Sequence, residues 1–248
     1  PLSLHDALPI WNIPIVFMFH GVTRTLEDND YFARLLAGMG ISTFSIDFRG
    51  HGLSNGTFPK DDGTQYNLTF GDALGAYRYV VSKLDITKDR LLVHGTSLGG
   101  GASLFLALSG LVPQFLVWYP ATAYLMGNIP LYMQNGSDPL FMGLILAGTA
   151  DECGRCLPAY NQEFVRNNPK VEIQWLEGAA HTDSRFFMEC VERSIEWISS
   201  LFDVASPNVL VSAYNQGFIG LGLITVIAVI DIIAILVYFR KKAQKGNG

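Results

Sequence analysis

Cysteine is scarce in this 248-residue sequence, and its scarcity excludes two classes of protein. Three cysteines are too few for the disulfide framework of a small secreted domain. Cys153 and Cys156 form one C-x-x-C pair, without the second pair that a structural zinc site requires. The pair follows a late strand, whereas the thioredoxin-like motif follows a first strand. We therefore expect reduced thiols or a local disulfide here, and neither a metal centre nor redox chemistry.

Charged residues are also few, at 16% of the sequence, and the net charge is −5. The sequence has no basic stripe and no interleaving of aromatic and basic residues, which argues against a nucleic-acid partner. Apolar residues make up 49%, which is too many for a disordered chain and enough for a large core. The length predicts one domain, or a small domain with additional segments.

The first ten residues do not have the pattern of a natural fold. Residues 1–10 resemble the translation of a common sequencing adapter, and we exclude them from the fold prediction. We expect the genuine N-terminus to be missing, so the lack of a visible signal peptide carries no conclusion.

The C-terminal part contains one long apolar run. Residues 218–239 are about 22 almost uniformly apolar residues, which is enough to cross the hydrocarbon core of a bilayer as a helix. Residues 240–248 form a basic tail, and Tyr238 lies at the edge of the run, where aromatic residues favour the membrane interface. We predict a linker over 204–217 and a transmembrane helix over 218–239. Asp231 would lie near mid-bilayer, and we assign it no role.

The basic tail predicts the orientation of this membrane protein. By the positive-inside rule the tail stays in the cytoplasm, so the preceding domain would be extracytoplasmic. Glycosylation sequons at Asn55, Asn67 and Asn135 fit this orientation weakly. A tail-anchored protein whose domain faces the cytosol is the alternative.

Between these ends, over residues 11–203, strand and helix patterns alternate. Continuous apolar runs predict strands at 13–19, 41–48, 90–93, 115–119, 144–147 and 171–176. Helical spacing is found at 30–38, 70–82, 98–108, 160–166 and 184–201. This alternation predicts an α/β fold, with a mostly parallel sheet covered by helices on both faces. Ligands of such sheets bind beyond the carboxyl ends of the strands.

A candidate nucleophile lies at one such strand end. Residues 91–100 read as a strand, then G-x-S-x-G around Ser97, then a helix. A strained turn of this kind lifts the serine hydroxyl clear of the sheet. The helix N-terminus that follows adds positive potential near a developing oxyanion.

The segment around Ser97 resembles the corresponding segment of α/β-hydrolase superfamily members whose nucleophile is a serine. Residues 45–54 look like the D-x-R-G-x-G-x-S turn of lysophospholipase, monoacylglycerol-lipase and prolyl-aminopeptidase-like enzymes, and the second half is similar to dienelactone-hydrolase-like esterases. The resemblance implies an α/β-hydrolase fold whose first strands are missing from this sequence. It also implies an oxyanion hole formed by the backbone N–H groups of Val22 and Leu98.

The base and the acid are predicted from chain order. Of five histidines, His181 follows the last strand, where the family places its base. The acid should follow a strand between Ser97 and His181, and Asp151 does so; Glu152 and Asp138 are the alternatives. Asp151 would hold the imidazole in the tautomer that accepts the serine proton.

The expected function is a membrane-anchored serine hydrolase that cleaves carboxylic esters through an acyl-enzyme. Residues 120–141 leave room for only a small lid, and a short lid beside a membrane anchor suits an acyl-ester or lipid-like substrate. No cofactor is implied. The alternatives are an aminopeptidase-type serine peptidase of the same fold and a non-catalytic membrane-tethered binding module. The sequence does not predict the oligomeric state.

Overall fold

The computed structural model describes residues 13–60, 62–123 and 140–206 of the chain. No helix within these ranges is long and apolar enough to cross a membrane. The N-terminal segment 1–10, the transmembrane helix predicted at 218–239 and the alternative acid Asp138 lie outside the described residues.

The described residues form a six-stranded sheet in which all neighbouring strands run parallel. The strand order is β2-β1-β3-β4-β5-β6. The strands are β1 Ile15–Phe19, β2 Ser42–Ile46, β3 Leu91–Thr96, β4 Gln114–Trp118, β5 Met142–Gly148 and β6 Val171–Leu176. All six were predicted from their apolar runs, with end points that differ by up to two or three residues.

In the described part of the chain, five α-helices connect or follow the strands. They are α1 Asp30–Gly38, α2 Asp62–Lys83, α3 Leu98–Leu108, α4 Pro158–Asn167 and α5 Phe187–Phe202, and short 3-10 helices lie at Leu26–Asn29, Lys88–Arg90 and Ser184–Phe186. The largest difference from the prediction is α2, which begins eight residues before 70. Its first two turns are mostly polar, so they lack the apolar spacing that reveals a helix, although Tyr66 is buried there.

Helices cover both faces of the sheet. On one face, Phe17, Val93 and Ile145 of the strands pack in one core with α2, α3 and α4. On the other face, His94 of β3 contacts Phe32 of α1 with ring centroids 5.1 Å apart. On that same face the Trp118 indole of β4 donates a hydrogen bond to a serine of α5. Because both faces are covered, the four inner strands β1, β3, β4 and β5 are almost wholly buried, as expected for a parallel sheet. The edge strands β2 and β6 also carry exposed polar residues, Ser42 and Glu172.

The strand order reverses direction between β1 and β3. The chain moves from β1 outward to β2, and then returns to add β3 on the opposite side of β1. A crevice opens at the carboxyl ends of strands at such a switch point, and ligands bind there. The loop after β1 and the residue after β3, Ser97, therefore lie at the same edge of the sheet.

Candidate active site

Ser97 occupies a sharp turn between β3 and α3. Its backbone has φ 54° and ψ −112°, in the region that L-residues rarely adopt and that marks functional strain. A Cβ at Gly95 would lie 2.3 Å from the backbone of Gly99, and a Cβ at Gly99 would lie 2.2 Å from the carbonyl oxygen of Phe19. The glycines of G-x-S-x-G are therefore required by backbone packing on both sides of the serine.

Ser97, His181 and Asp151 are brought together in the order predicted from the sequence. The Ser97 Oγ lies 2.9 Å from Nε2 of His181, and Nδ1 of His181 lies 2.9 Å from Oδ2 of Asp151. These distances define a tautomer in which Nδ1–H donates to Asp151 and Nε2 accepts from the serine hydroxyl. In this arrangement the lone pair of Nε2 is aimed at the serine proton, which general-base catalysis requires.

Asp151 is fixed from a second side. Its side chain is fully buried, and Oδ1 accepts a hydrogen bond of 2.9 Å from the backbone N–H of Cys153. The alternative acid Glu152 approaches the backbone N–H of His181, at 3.4 Å, and not its ring. Of these two neighbouring carboxylates, Asp151 alone orients the imidazole.

The loop that carries His181 is tied to the loop after β5. The backbone N–H of Ala150 donates to the Ala179 carbonyl at 3.0 Å, and the N–H of Gly178 donates to Oγ1 of Thr149 at 2.8 Å. The chain then turns at Thr182, which has φ 49°. These bonds hold Asp151 and His181 in register with each other although they are 30 residues apart in sequence.

His20 is committed to a structural role by its hydrogen bonds. Its Nδ1–H donates to the Gly21 carbonyl at 2.7 Å, and its Nε2 accepts from the Phe48 N–H at 3.0 Å. Burial lowers the pKa of His20, which favours this neutral form.

His94 is a buried packing residue. Its side chain is fully buried, its Nδ1 lies 3.1 Å from the Leu116 carbonyl, and its Nε2 has no hydrogen-bond partner. Burial lowers the pKa of His94 to about 4. With His20 and His94 committed elsewhere, His181 is the imidazole available to Ser97.

The predicted oxyanion donors flank the serine. Leu98 is the first residue of α3, where backbone N–H groups have no partner within the helix. Gly21 packs against the Ser97 turn, because a Cβ there would lie 3.6 Å from Cβ of Ser97. Val22 follows Gly21, is 43% exposed and lines the same cavity as the serine. The backbone N–H of Leu98 therefore lies next to Ser97, and Val22 lies in the loop that packs against the Ser97 turn.

The D-x-R-G-x-G-x-S segment is a folded turn and contributes no group to the triad. Asp47 accepts two hydrogen bonds of 2.9 Å, from the N–H of Leu26 and of Leu53. Arg49 pairs with Asp72 of α2 through several hydrogen bonds. Gly52 has φ +49°, and a Cβ there would overlap the Asp47 carboxylate. The turn holds the loops after β1 and β2 together, which explains its aspartate, arginine and glycine.

A cavity of about 450 Å³ opens over the serine. Its lining combines apolar side chains with two carboxylates, and includes Val22, Arg24, Asp28, Asn29, Ser97, Trp118, Tyr119, His181, Asp183 and Phe187. Asp28 pairs with Arg24 at 3.5 Å and Asp183 with Arg185 at 2.6 Å. A larger groove, of about 790 Å³, lies along β2 and contains none of the three triad residues.

The sequence did not predict that the C-x-x-C pair lies next to these residues. The Sγ atoms of Cys153 and Cys156 and a ring nitrogen of His181 all lie within 4.8 Å of one another. Cys156 is fully buried and its thiol also interacts with the Ser97 hydroxyl. The thiols stand far from His181 in sequence, so only the position of Asp151, two residues before Cys153, hinted at this proximity.

Comparison with protein families matches residues 12–111 to the family described as "Serine aminopeptidase, S33". Among curated relatives, the human alpha/beta hydrolase domain-containing protein 17B is 26% identical over 190 residues. The match covers 69% of this chain and 61% of the relative, so the chain spans about three fifths of that protein's length.

Solved structures share the fold at low sequence identity. A monoacylglycerol lipase from Paleococcus ferrophilus has a TM-score of 0.57 and 18% identity, with 77% of this chain and 97% of the lipase covered. Esterase 2 from Thermogutta terrifontis, solved after phosphorylation by paraoxon, has a TM-score of 0.60 and 17% identity, with 79% and 85% covered. Both show the same α/β architecture as the described residues.

Proposed function

The chain belongs to the α/β-hydrolase superfamily, and on that basis we propose that it is a serine hydrolase that cleaves carboxylic esters. The observation that carries the proposal is the hydrogen-bonded chain from Ser97 through His181 to Asp151. Ser97 lies on a strained turn at the mouth of a cavity. Three groups in these roles form the arrangement that activates a serine for attack on a carbonyl.

The mechanism follows from the positions of these groups. Ser97 Oγ attacks the ester carbonyl carbon while Nε2 of His181 takes the hydroxyl proton, and Asp151 stabilises the imidazolium that forms. The N–H groups of Val22 and Leu98 stabilise the oxyanion of the tetrahedral intermediate. His181 then gives its proton to the leaving alcohol, leaving an acyl-enzyme. A water molecule, deprotonated by His181, releases the acid and restores Ser97.

The cavity favours an ester with an apolar acyl group. Val22, Trp118 and Phe187 give it apolar walls, which bind acyl chains through burial of apolar surface. The named activities of structural neighbours, an esterase and a monoacylglycerol lipase, agree with this substrate class. A lipid-like substrate would also suit a chain held at a membrane.

An aminopeptidase activity is the second candidate, because the matching family is described as a serine aminopeptidase. Such an enzyme must bind a substrate ammonium group, and the cavity offers the carboxylates of Asp28 and Asp183. Each is already paired with an arginine, and the Arg185 guanidinium lowers the pKa of Asp183 to about 2. An ammonium group would have to compete with these arginines, so the ester is favoured.

The test compares two substrate panels on the purified full chain. We expect hydrolysis of p-nitrophenyl acyl esters of increasing chain length and little hydrolysis of aminoacyl p-nitroanilides. Ser97→Ala should lower kcat by at least about 10³-fold. Ser109→Ala, at the other end of α3, is the matched control and should retain activity. Faster cleavage of the anilides would favour the peptidase, and equal rates in Ser97→Ala and the unmodified chain would contradict the mechanism.

We further propose that residues 218–239 anchor the enzyme in a membrane, with the hydrolase domain extracytoplasmic. The support is the length and apolarity of this segment and the basic residues after it. The full chain should stay with membranes during alkaline carbonate extraction, whereas replacing both Ile227 and Ile233 with lysine should release it. In sealed right-side-out vesicles, which enclose the cytoplasmic face of the membrane, protection of the basic tail from added protease would support this orientation. Digestion of the tail would support the cytosol-facing alternative.

A further inference from the structure

Two thiols and the imidazole of the proposed base form a compact group of metal-ligating side chains. Cys153 and Cys156 lie in one tight turn, closed by a hydrogen bond of 2.8 Å from the Cys156 N–H to the Cys153 carbonyl. The two Sγ atoms and a ring nitrogen of His181 lie within 4.8 Å of one another. In a tetrahedral zinc site with bonds of about 2.3 Å to sulfur, neighbouring ligands are about 3.5 to 3.8 Å apart. Side-chain movements of about 1 Å therefore suffice to close the site.

The hydrogen bond between His181 and Asp151 already has the form that supports a histidine ligand in a metal site. Histidine ligands in zinc sites commonly donate their other N–H to a carboxylate, which fixes the tautomer and orients the ring. Here Nδ1–H of His181 donates to Oδ2 of Asp151, so Nε2 carries the free lone pair. The Cys156 thiol and Ser97 Oγ both lie on this side of the ring, because the thiol interacts with the serine and the serine contacts Nε2.

The group is also accessible to an ion. The His181 side chain is 20% exposed and lines the cavity over Ser97, and Cys153 is half-buried. Cys156 is fully buried and is the innermost of the three. An ion would reach the group past the partly exposed side chains of His181 and Cys153, with two sulfurs and one nitrogen as ligands and a water molecule at the fourth position.

We propose that Cys153, Cys156 and His181 bind a thiophilic divalent cation such as Zn²⁺, and that binding reversibly inhibits the hydrolase. Each thiol loses one proton on binding, so two protons are released for each ion bound. The ion bonds to Nε2 of His181, the atom that must accept the Ser97 proton. Ion binding and base catalysis therefore exclude each other. The inhibition rests on the proposed hydrolase function, whereas the binding does not.

Binding can be measured without reference to activity. We would titrate Co²⁺ into the reduced, metal-free full chain and follow the thiolate-to-cobalt charge-transfer absorption in the near ultraviolet, then displace the cobalt with Zn²⁺. One equivalent should saturate the signal. Ser97→Ala should give the same spectrum and stoichiometry, because it removes the proposed nucleophile and leaves all three ligands. This variant separates failure of metal binding from failure of catalysis.

The matched ligand variants are Cys153→Ala and Cys190→Ala. Cys153 is half-buried, so its substitution should not prevent folding, which far-ultraviolet circular dichroism checks. We expect Cys153→Ala to weaken binding by at least about 10-fold. Cys190→Ala removes a buried thiol outside the group and should leave the affinity unchanged. Absence of thiolate-to-cobalt absorption in the reduced protein, or equal affinities in Cys153→Ala and the unmodified chain, would overturn the proposal.

Inhibition is measured next, by ester hydrolysis with each variant normalised to its own metal-free rate. Zn²⁺ should inhibit the unmodified chain and a chelator should restore the rate. The zinc concentration for half-inhibition should rise at least about 10-fold in Cys153→Ala and stay unchanged in Cys190→Ala. Cobalt binding with an undiminished hydrolysis rate would overturn the inhibitory role. A metal-free chain that shows no hydrolysis but binds cobalt would contradict the proposed function alone.

Discussion

Lowering the pH from about 7.5 to about 5 should destabilise the fold through His94. This imidazole is fully buried between Phe32 and Trp118, with ring centroids 5.1 and 4.7 Å away. Its Nε2 has no hydrogen-bond partner, so nothing in the surroundings would stabilise an added proton. Burial lowers the pKa of His94 from 6.5 to about 4. The folded protein therefore keeps His94 neutral at pH values where the unfolded chain protonates it.

The direction and the size of this change in stability follow from the pKa of His94 in the unfolded chain, 6.5, and in the folded protein, about 4. Between pH 6.5 and about 4 the unfolded state binds more protons, so the free energy of unfolding decreases as the pH is lowered. A difference of one pKa unit corresponds to 1.36 kcal/mol, so the full effect below both values is about 3 kcal/mol. About 2 kcal/mol of it should be lost by about pH 5. Burial also lowers the pKa of His20, so His20 adds a further decrease in the free energy of unfolding as the pH is lowered.

The assay is urea unfolding of the unmodified chain and of His94→Gln at both pH values. The packing defect of His94→Gln is present at both pH values. Comparing how much the unfolding free energy changes between the two pH values in each protein therefore isolates the protonation of His94. We expect the decrease in unfolding free energy on acidification to be smaller in His94→Gln by about 2 kcal/mol. The decrease that remains in the variant would come from His20. Equal acid-dependent losses in the two proteins would refute the assignment of a depressed pKa to His94.

Four further substitutions test the site and the fold. Asp151→Asn should lower kcat for ester hydrolysis by about 10⁴-fold, because an amide no longer fixes the tautomer of His181. A decrease in kcat of less than about 10-fold would exclude Asp151 as the orienting acid. Gly99→Ala places a Cβ 2.2 Å from a β1 carbonyl oxygen and should lower both the melting temperature and the activity. Gly71→Ala, in open space on α2, should instead raise the unfolding free energy by about 0.5–1 kcal/mol. Asp47→Ala should lower the unfolding free energy by about 2 kcal/mol, because two backbone N–H groups lose their acceptor.

The sequence predicted the sheet well because each strand can be recognised from residues that are neighbours in sequence. The buried inner strands are nearly continuous apolar runs, and the edge strands β2 and β6 are short segments rich in β-branched and aromatic residues. Ser97, Asp151 and His181 were predicted to lie together by chain order, since each follows a strand and parallel strands end at one edge of the sheet, and the structure places the three within hydrogen-bond distance. The start of α2 was missed because the residues before 70 are mostly polar, and a helix whose turns are mostly polar carries no apolar period.

Proximity between distant loops could not be predicted from the sequence. The C-x-x-C pair lacked a second pair of ligands in sequence, so we expected no metal centre. The loop after β5 brings Cys153 and Cys156 against His181, which comes 25 residues after Cys156. Side-chain pairing within a cavity depends on loop geometry, which composition and periodicity do not encode.

Labelling by a fluorophosphonate probe is the most direct test of Ser97 as the nucleophile, because the probe reacts with a serine only when a base activates it. The full chain, made metal-free with a chelator, would be labelled, digested and examined by mass spectrometry beside Ser97→Ala and Ser109→Ala. We predict modification of Ser97 in the unmodified chain and in Ser109→Ala, and none in Ser97→Ala. Lack of labelling in a protein that unfolds cooperatively in urea, or labelling at another serine, would contradict the assignment of Ser97 as the nucleophile.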